Sequence, residues 1–320
     1  MKNFIVRRMS PAVFGAIACV QLGALTILPR ASVAGEAGQS PYMSGYKDFL
    51  SGIIPQEGGL YLRDSLVYYH GSVARDEIGG RVVVNVHAQL MTNVLAPTYV
   101  TPITIFGGTY AFGAILPVTN PDISSNVQGP GFSTSNSENR FGLGDVSLTP
   151  AILGWSAGNF HWSAAFSIMA PTGDYRRGGL ANTSLNRWSF LPQASVTYLD
   201  PNTGWNASAA FVFAASTENP TTHYQSGDFV HVDFAGGRYL NKKFQLGLVG
   251  YYEQQITGDS GSGALLGSYK ARVWAIGPGA TYTFLINQTP VTATAKWTHE
   301  FAVRNTFQGD AVTIGAAFKF

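Results

Sequence analysis

Charge is scarce in this chain of 320 residues: 12% are Asp, Glu, Lys or Arg, while 45% are hydrophobic. That is about half the charged share of a soluble globular domain. Long apolar runs are also missing beyond the amino terminus, where no stretch of eighteen apolar residues occurs, so transmembrane helices are excluded there. Cysteine is confined to Cys19. Its position inside an amino-terminal apolar run removes disulfides, a thiolate nucleophile and cysteine metal sites from the processed chain. The net charge of +2 and the lack of a basic stripe argue against a nucleic-acid partner. Apolar content without spanning helices leaves one arrangement in which apolar side chains face lipid, namely strands.

The amino terminus has the order of a secretory signal. Lys2, Arg7 and Arg8 precede an apolar run over residues 12–28, and Ser32, Val33 and Ala34 follow it. This predicts a signal peptide over 1–34 with cleavage after Ala34. In residues 35–57, Tyr46, Phe49, Leu50, Ile53 and Ile54 fall at helical spacing. They predict a short amphipathic helix, either a leader to the first strand or a partial plug in the periplasmic mouth of a barrel over 58–320.

From residue 60 onward one theme repeats, a strand of roughly ten residues followed by a connection. Strands are expected over 60–69, 82–94, 103–116, 146–155, 160–170, 188–198, 205–213, 229–239, 244–256, 269–284, 291–301 and 311–320. In the last of these, Val312, Ile314, Ala316, Phe318 and Phe320 share one face, and Thr313, Gly315, Ala317 and Lys319 share the other. The connections alternate in length. Segments 118–140, 172–187, 216–227 and 257–268 are long and polar, whereas 156–159, 200–204, 241–243 and 285–290 are short turns. That sorting predicts an all-β, transmembrane antiparallel barrel of about twelve strands with short periplasmic turns and long external loops, placed in the outer membrane of a Gram-negative bacterium. Trp155, Phe160, Trp205 and Phe244 lie near short turns, and Tyr175, Trp188, Tyr224 and Tyr252 near long ones, as two interfacial girdles do.

Two resemblances follow from these residues. The closing strand, ending on Phe318 and Phe320, resembles the terminal assembly signal of bacterial outer-membrane barrels, which implies the barrel-assembly machinery and the lipid bilayer as partners. The segments GLGDVSLTPAILGW (142–155), MAPTGDY (169–175), TTHYQSGD (221–228), LGLVGYYEQQITGD (246–259) and IGPGATY (276–282) are similar to the bacterial outer-membrane family labelled as involved in the meta-pathway of phenol degradation. That resemblance implies a transporter or uptake channel for small hydrophobic or aromatic compounds, with no catalytic motif and no cofactor.

Charges within strands are the candidate site. Glu253, Lys296 and Glu300 are assigned to the lumen by alternation, with Asp233, Lys270 and Arg272 beside them, because a basic residue facing lipid at mid-bilayer costs about 2–4 kcal/mol. They either pair across the lumen and stiffen the wall or form a mixed-sign ring that selects solutes. Other chemistry is weakly signalled. His161 and Ser163 share a strand face, as in a barrel hydrolase, but Ala164 and Ala165 stand where the phospholipase motif has Asn and Gly. His231 and Asp233 share a face without a third metal ligand. No catalytic residue, metal site or cofactor is therefore expected, and the alternatives to a channel are a lipase-like hydrolase or a purely structural barrel.

Overall fold

A computed structural model describes residues 39–129 and 132–320; the expected signal peptide and its cleavage site lie outside the described residues. The strands are β1 (Gly59–Ile78), β2 (Arg81–Ile105), β3 (Gly108–Gly129), β4 (Phe132–Asn139), β5 (Gly142–Leu143), β6 (Val146–Ala157), β7 (Phe160–Ala170), β8 (Ser189–Leu199), β9 (Trp205–Ser216), β10 (Phe229–Tyr239), β11 (Phe244–Gln255), β12 (Arg272–Ile286), β13 (Thr289–Arg304) and β14 (Gln308–Lys319). All pairings are antiparallel, consecutive strands pairing except that β4, β5 and β6 each pair with β3, and β1 pairs with both β2 and β14, so the sheet closes on itself. Because β4, β5 and β6 successively use β3 as partner, they act as one interrupted strand. The result is a closed barrel of twelve strands.

The alternation works inside out. Along β9, Trp205 and Phe211 are 56% and 51% exposed, while Asn206 and Ser208 between them are 4% and 7% exposed. Large apolar side chains cover the outer surface, and hydroxyls, amides and charges fill the interior, which is the polarity of a wall between lipid and a lumen. At the seam, twelve residue pairs from Tyr61↔Lys319 to Ser72↔Gln308 align, and Phe320 N donates to Leu60 O at 2.9 Å.

Turns at one end are tight. The β12–β13 reversal uses Asn287 and Gln288 with φ of 47° and 70°, the doubly left-handed two-residue turn whose twist suits a hairpin. At the other end the connections are long, apart from the Gly79–Gly80 reversal between β1 and β2, the two-residue link between β3 and β4 and the short link between β13 and β14. One expected loop is largely strand. Residues 118–140, polar and rich in Ser and Asn, carry β3 on to Gly129 and back through β4, because β2 extends alongside and offers a ladder over Val86↔Ser125 to Val118↔Asn93. A backbone that finds ladder partners becomes strand even where side-chain composition reads as loop.

The long connection between β7 and β8 folds back over this end. Leu180 and Ala181 are buried in a cluster with Val73, Ile78, Val86, Ala88, Ile123 and Phe307. Asp145 holds the connection by accepting from Gly173 N at 3.1 Å and Leu185 N at 2.7 Å. Tyr224, expected in a girdle, is instead 2% exposed within the loops.

Residues 39–58 pass through the lumen. At one extreme Gln39 O accepts from Arg187 Nη2 at 3.0 Å, beside the long connections; at the other Gln56 Oε1 accepts from Thr109 Oγ1 at 3.1 Å, beside the tight turns. The segment therefore runs the height of the barrel and is not confined to one mouth. Nor is it helical, as the spacing of Tyr46, Phe49, Leu50, Ile53 and Ile54 predicts. It forms separate turns, with Tyr46 N donating to Met43 O and Ile53 N to Leu50 O, and left-handed φ at Gly45 and Leu50. The amides of Gly45, Lys47, Leu50 and Gly52 donate to side chains of the wall. Donors committed outward leave no i to i−4 ladder to build a helix.

Candidate functional site

Within the lumen the segment leans on one side, β8 to β13, where most of its strong contacts lie. Asp233 of β10 accepts three hydrogen bonds from it, from Tyr42 Oη at 2.5 Å, Gly45 N at 2.8 Å and Lys47 N at 2.9 Å. Ser44 Oγ donates to Glu253 Oε2 of β11 at 2.7 Å and lies 3.0 Å from His231 Nδ1. With that hydroxyl proton committed to Glu253, His231 donates through Nδ1 and accepts from Ser40 Oγ through Nε2 at 2.7 Å. Asp48 accepts from Lys296 Nζ of β13 at 2.8 Å and from Arg63 Nη2 of β1 at 3.0 Å, so the segment's carboxylate neutralises charge from two strands. Lys296 Nζ also donates to Gly45 O at 2.6 Å.

Shape matches this bonding. A Cβ on Gly154 of β6 would meet Ile54 at 2.5 Å, and Cβ atoms on Gly237 and Gly279 would meet the Phe49 ring at 2.9 and 3.1 Å. Phe49 packs there against Ala235 and Val249. These three wall positions make room for two apolar side chains of the segment, a close approach that only glycine allows.

The other side stays open. A cavity of about 670 Å³ lies mainly between the segment and β1 to β3, β6 and β7, with Glu253 and Glu300 of the other side also reaching its lining, and is of the size that takes small organic molecules. Its wall carries Thr92, Val94 and Thr98 from β2, Ile115 and Thr119 from β3, and Thr149 and Ser167 from β6 and β7. The hydroxyls pair with one another, Thr92 with Thr119 at 2.9 Å and Thr149 with Ser167 at 2.7 Å.

Of the six charges expected in the lumen, Asp233, Glu253, Lys296 and Glu300 are buried there. Glu300 is held by Tyr69 Oη, Tyr251 Oη and Gly309 N at 2.9, 2.6 and 2.7 Å. Lys270 and Arg272 do not join them: both are exposed, and Arg272 shares the outward parity of Trp274 and Ile276. They sit at the strand end, where an outward charge costs only about 0–1 kcal/mol, and so escape the penalty that argued for the lumen. Arg63 and Asp48 belong to the cluster but carry no motif; each becomes informative only when the segment is known to lie inside. His161 Nδ1 is paired with Ser156 Oγ at 2.7 Å, not with Ser163. His231 and Asp233 do lie close in the lumen, and the segment occupies both. Among the described residues no group of three His, Cys, Asp or Glu is arranged to hold a metal ion.

Comparison with known proteins gives the geometry its context. The family model described as "Putative MetA-pathway of phenol degradation" matches residues 72–315. An outer membrane channel from Pseudomonas putida F1 superposes with a TM-score of 0.65 at 16% identity, over 84% of this chain and 100% of that one. The translocator domain of the autotransporter NalP from Neisseria meningitidis (TM-score 0.44, 11% identity, 84% and 91% covered) and a FadL homologue of Pseudomonas aeruginosa (0.41, 9%, 82% and 89%) are similar only at the level of being barrels. No curated protein matches. The match over residues 72–315 shows that the chain belongs to the phenol-degradation family, and its fold is that of an outer-membrane channel.

Proposed function

We propose that this member of the family is an uptake channel of the Gram-negative outer membrane for small, uncharged, hydrophobic or aromatic compounds. The observation that carries the reading is the division of the lumen: Asp233, Glu253, Lys296 and Arg63 are engaged by residues 39–58, Glu300 is engaged by Tyr69, Tyr251 and Gly309 of the wall, and the space left beside them is walled mainly by hydroxyl and aliphatic groups. A solute without charge can enter such a space without leaving a strand carboxylate or ammonium unpaired. The family description supports the aromatic class. Glu253, Lys296 and Asp233 then act on the pathway indirectly, by setting where the segment lies, and Glu300 does so by bracing the wall through Tyr69, Tyr251 and Gly309.

Uptake of a panel of aromatic, aliphatic and charged carbon sources by a deletion strain and its complemented parent tests this. Selective loss of neutral aromatic uptake in the deletion is expected. Equal uptake of every solute by both strains would remove the channel reading. Phe318 and Phe320, whose rings lie 5.1 Å apart, are proposed as the feature read by the barrel-assembly machinery. Deleting Phe320 should reduce heat-modifiable, inserted protein far more than the loss of one exposed ring implies.

A further inference from the structure

Lys270, Arg272 and Arg304 stand at the long-connection end of the barrel, outside the lumen. Arg272 of β12 lies directly opposite Arg304 of β13, and both are exposed. Like charges directly opposite on adjacent strands repel. An irregularity in the ladder creates this pairing. The β12–β13 register shifts between Arg272 and Trp274, and across it Ala302 takes a left-handed φ of 52°, unusual for a residue with a Cβ. Under regular alternation Val303 would face outward with Phe301. Instead Val303 packs inward on the cluster of Tyr251, Val273 and Ala275, and Arg304 turns outward beside Arg272. Bulges re-aim side chains in this way.

The surroundings are those of a headgroup layer. Immediately nearer mid-barrel, Tyr252 pairs with Trp274 at a ring separation of 4.3 Å, and Trp274 is opposite Phe301. Lys270 is exposed close by, with Nζ donating to Ile256 O at 2.6 Å. On the same outer face Asp310 lies opposite both His70 and His299, but its carboxylate is engaged by His299 Nδ1 at 3.0 Å and Trp297 Nε1 at 3.1 Å. It offers the arginines no counter-charge.

We propose that this patch binds the phosphorylated headgroup of a lipid in the leaflet at the long-connection end. Arg272 and Arg304 clamp one phosphate between them, Lys270 adds a third positive charge, and the acyl chains lie along Tyr252, Trp274 and Phe301. Two guanidinium forks match phosphate oxygens bidentately, and the anion removes the repulsion between them. The aromatic rings sit where an amphipathic belt belongs. The inference rests on the outer-membrane reading of the barrel and is independent of any solute.

Binding should be measured by native mass spectrometry of the purified full-length barrel with diphosphorylated lipid A, with the dephosphorylated lipid, and with inorganic phosphate as competitor. The Arg272→Gln/Arg304→Gln variant should bind the phosphorylated lipid about tenfold or more weakly than wild type. Lys242→Gln/Lys243→Gln, with the same charge removed at the opposite rim, should bind as wild type. Arg304→Lys keeps the charge without the fork and should weaken binding less than the double variant does, which covers the case in which the double variant fails to insert. Wild-type affinity in either arginine variant would overturn the proposal. So would equal binding of phosphorylated and dephosphorylated lipid, or displacement of the lipid by an equal concentration of inorganic phosphate.

Discussion

The two sides of the lumen solve different problems with different residues. On the β8 to β13 side, Asp233, Glu253, His231 and Lys296 meet residues 40–48 in a dense set of charged hydrogen bonds. On the β1 to β3, β6 and β7 side, the wall facing the cavity presents mainly threonine, serine and aliphatic side chains whose hydroxyls satisfy each other. A buried ion is costly unless paired, so charge gathers where the segment supplies partners and is thinner where solvent or solute must come and go. Most lumen charge in this barrel therefore marks an internal attachment surface; Glu300, held by Tyr69, Tyr251 and Gly309 of the wall, is the exception. A selectivity ring facing passing solute would look different, with charges left accessible.

Four experiments would break or sharpen that contrast. The largest effect is expected from deleting residues 39–54 while keeping the signal: single-channel conductance in planar bilayers should rise several-fold, with inserted protein unchanged. Conductance at the wild-type level would mean that the segment restricts nothing. Asp233→Ala comes next. It removes the shared acceptor of Tyr42, Gly45 and Lys47, and a hydrogen bond to a charged group contributes about 1.5–3 kcal/mol. Intermittent openings approaching the level of the deletion, seen as current noise, are the expected signature. Lys296→Met should do less, because Asp48 retains Arg63 at 3.0 Å; protease sensitivity of the segment should increase while the barrel's heat modifiability persists. Smallest is Thr149→Val on the open side. Loss of its bond to Ser167 should cost about 1 kcal/mol of stability and leave conductance unchanged, with only solute preference altered. If Thr149→Val disturbs the segment as strongly as Asp233→Ala, the two sides are not distinct.

Much of the wall can be read from the amino acids alone, because alternation and connection length are local properties. The closing strand shows this, with Val312 and Ile314 outside and Thr313 buried between them. What resists such reading depends on partners distant in sequence. Tyr46, Phe49 and Leu50 have helical spacing, yet the amides of Gly45, Lys47 and Leu50 are claimed by Asp233 and Ser208, more than 150 residues away. Strand length beyond the bilayer is similarly hidden, since residues 118–125 become strand through the extended neighbour β2 and 126–129 through β4. Side-chain direction near a bulge is hidden too. Arg272 looks like a lumen charge until strand position is known, and Arg304 faces outward only because Ala302 breaks the alternation.

The route of the amino-terminal segment imposes an order of events on assembly. The segment immediately precedes β1, and β1 is the strand that β14 must find to seal the wall. While that seam is open, the chain can lie down sideways on the concave face of the growing sheet and collect its bonds to β8 through β13. Once it is sealed, entry requires pushing through an end that folded connections already cover. Strand order thus makes early docking the easier course, with the segment laid onto a sheet that curves without it. A compact domain fused ahead of Gln39 would be too bulky to be enclosed and should stall zipping of the seam, whereas the same domain carried in the β9–β10 connection should not.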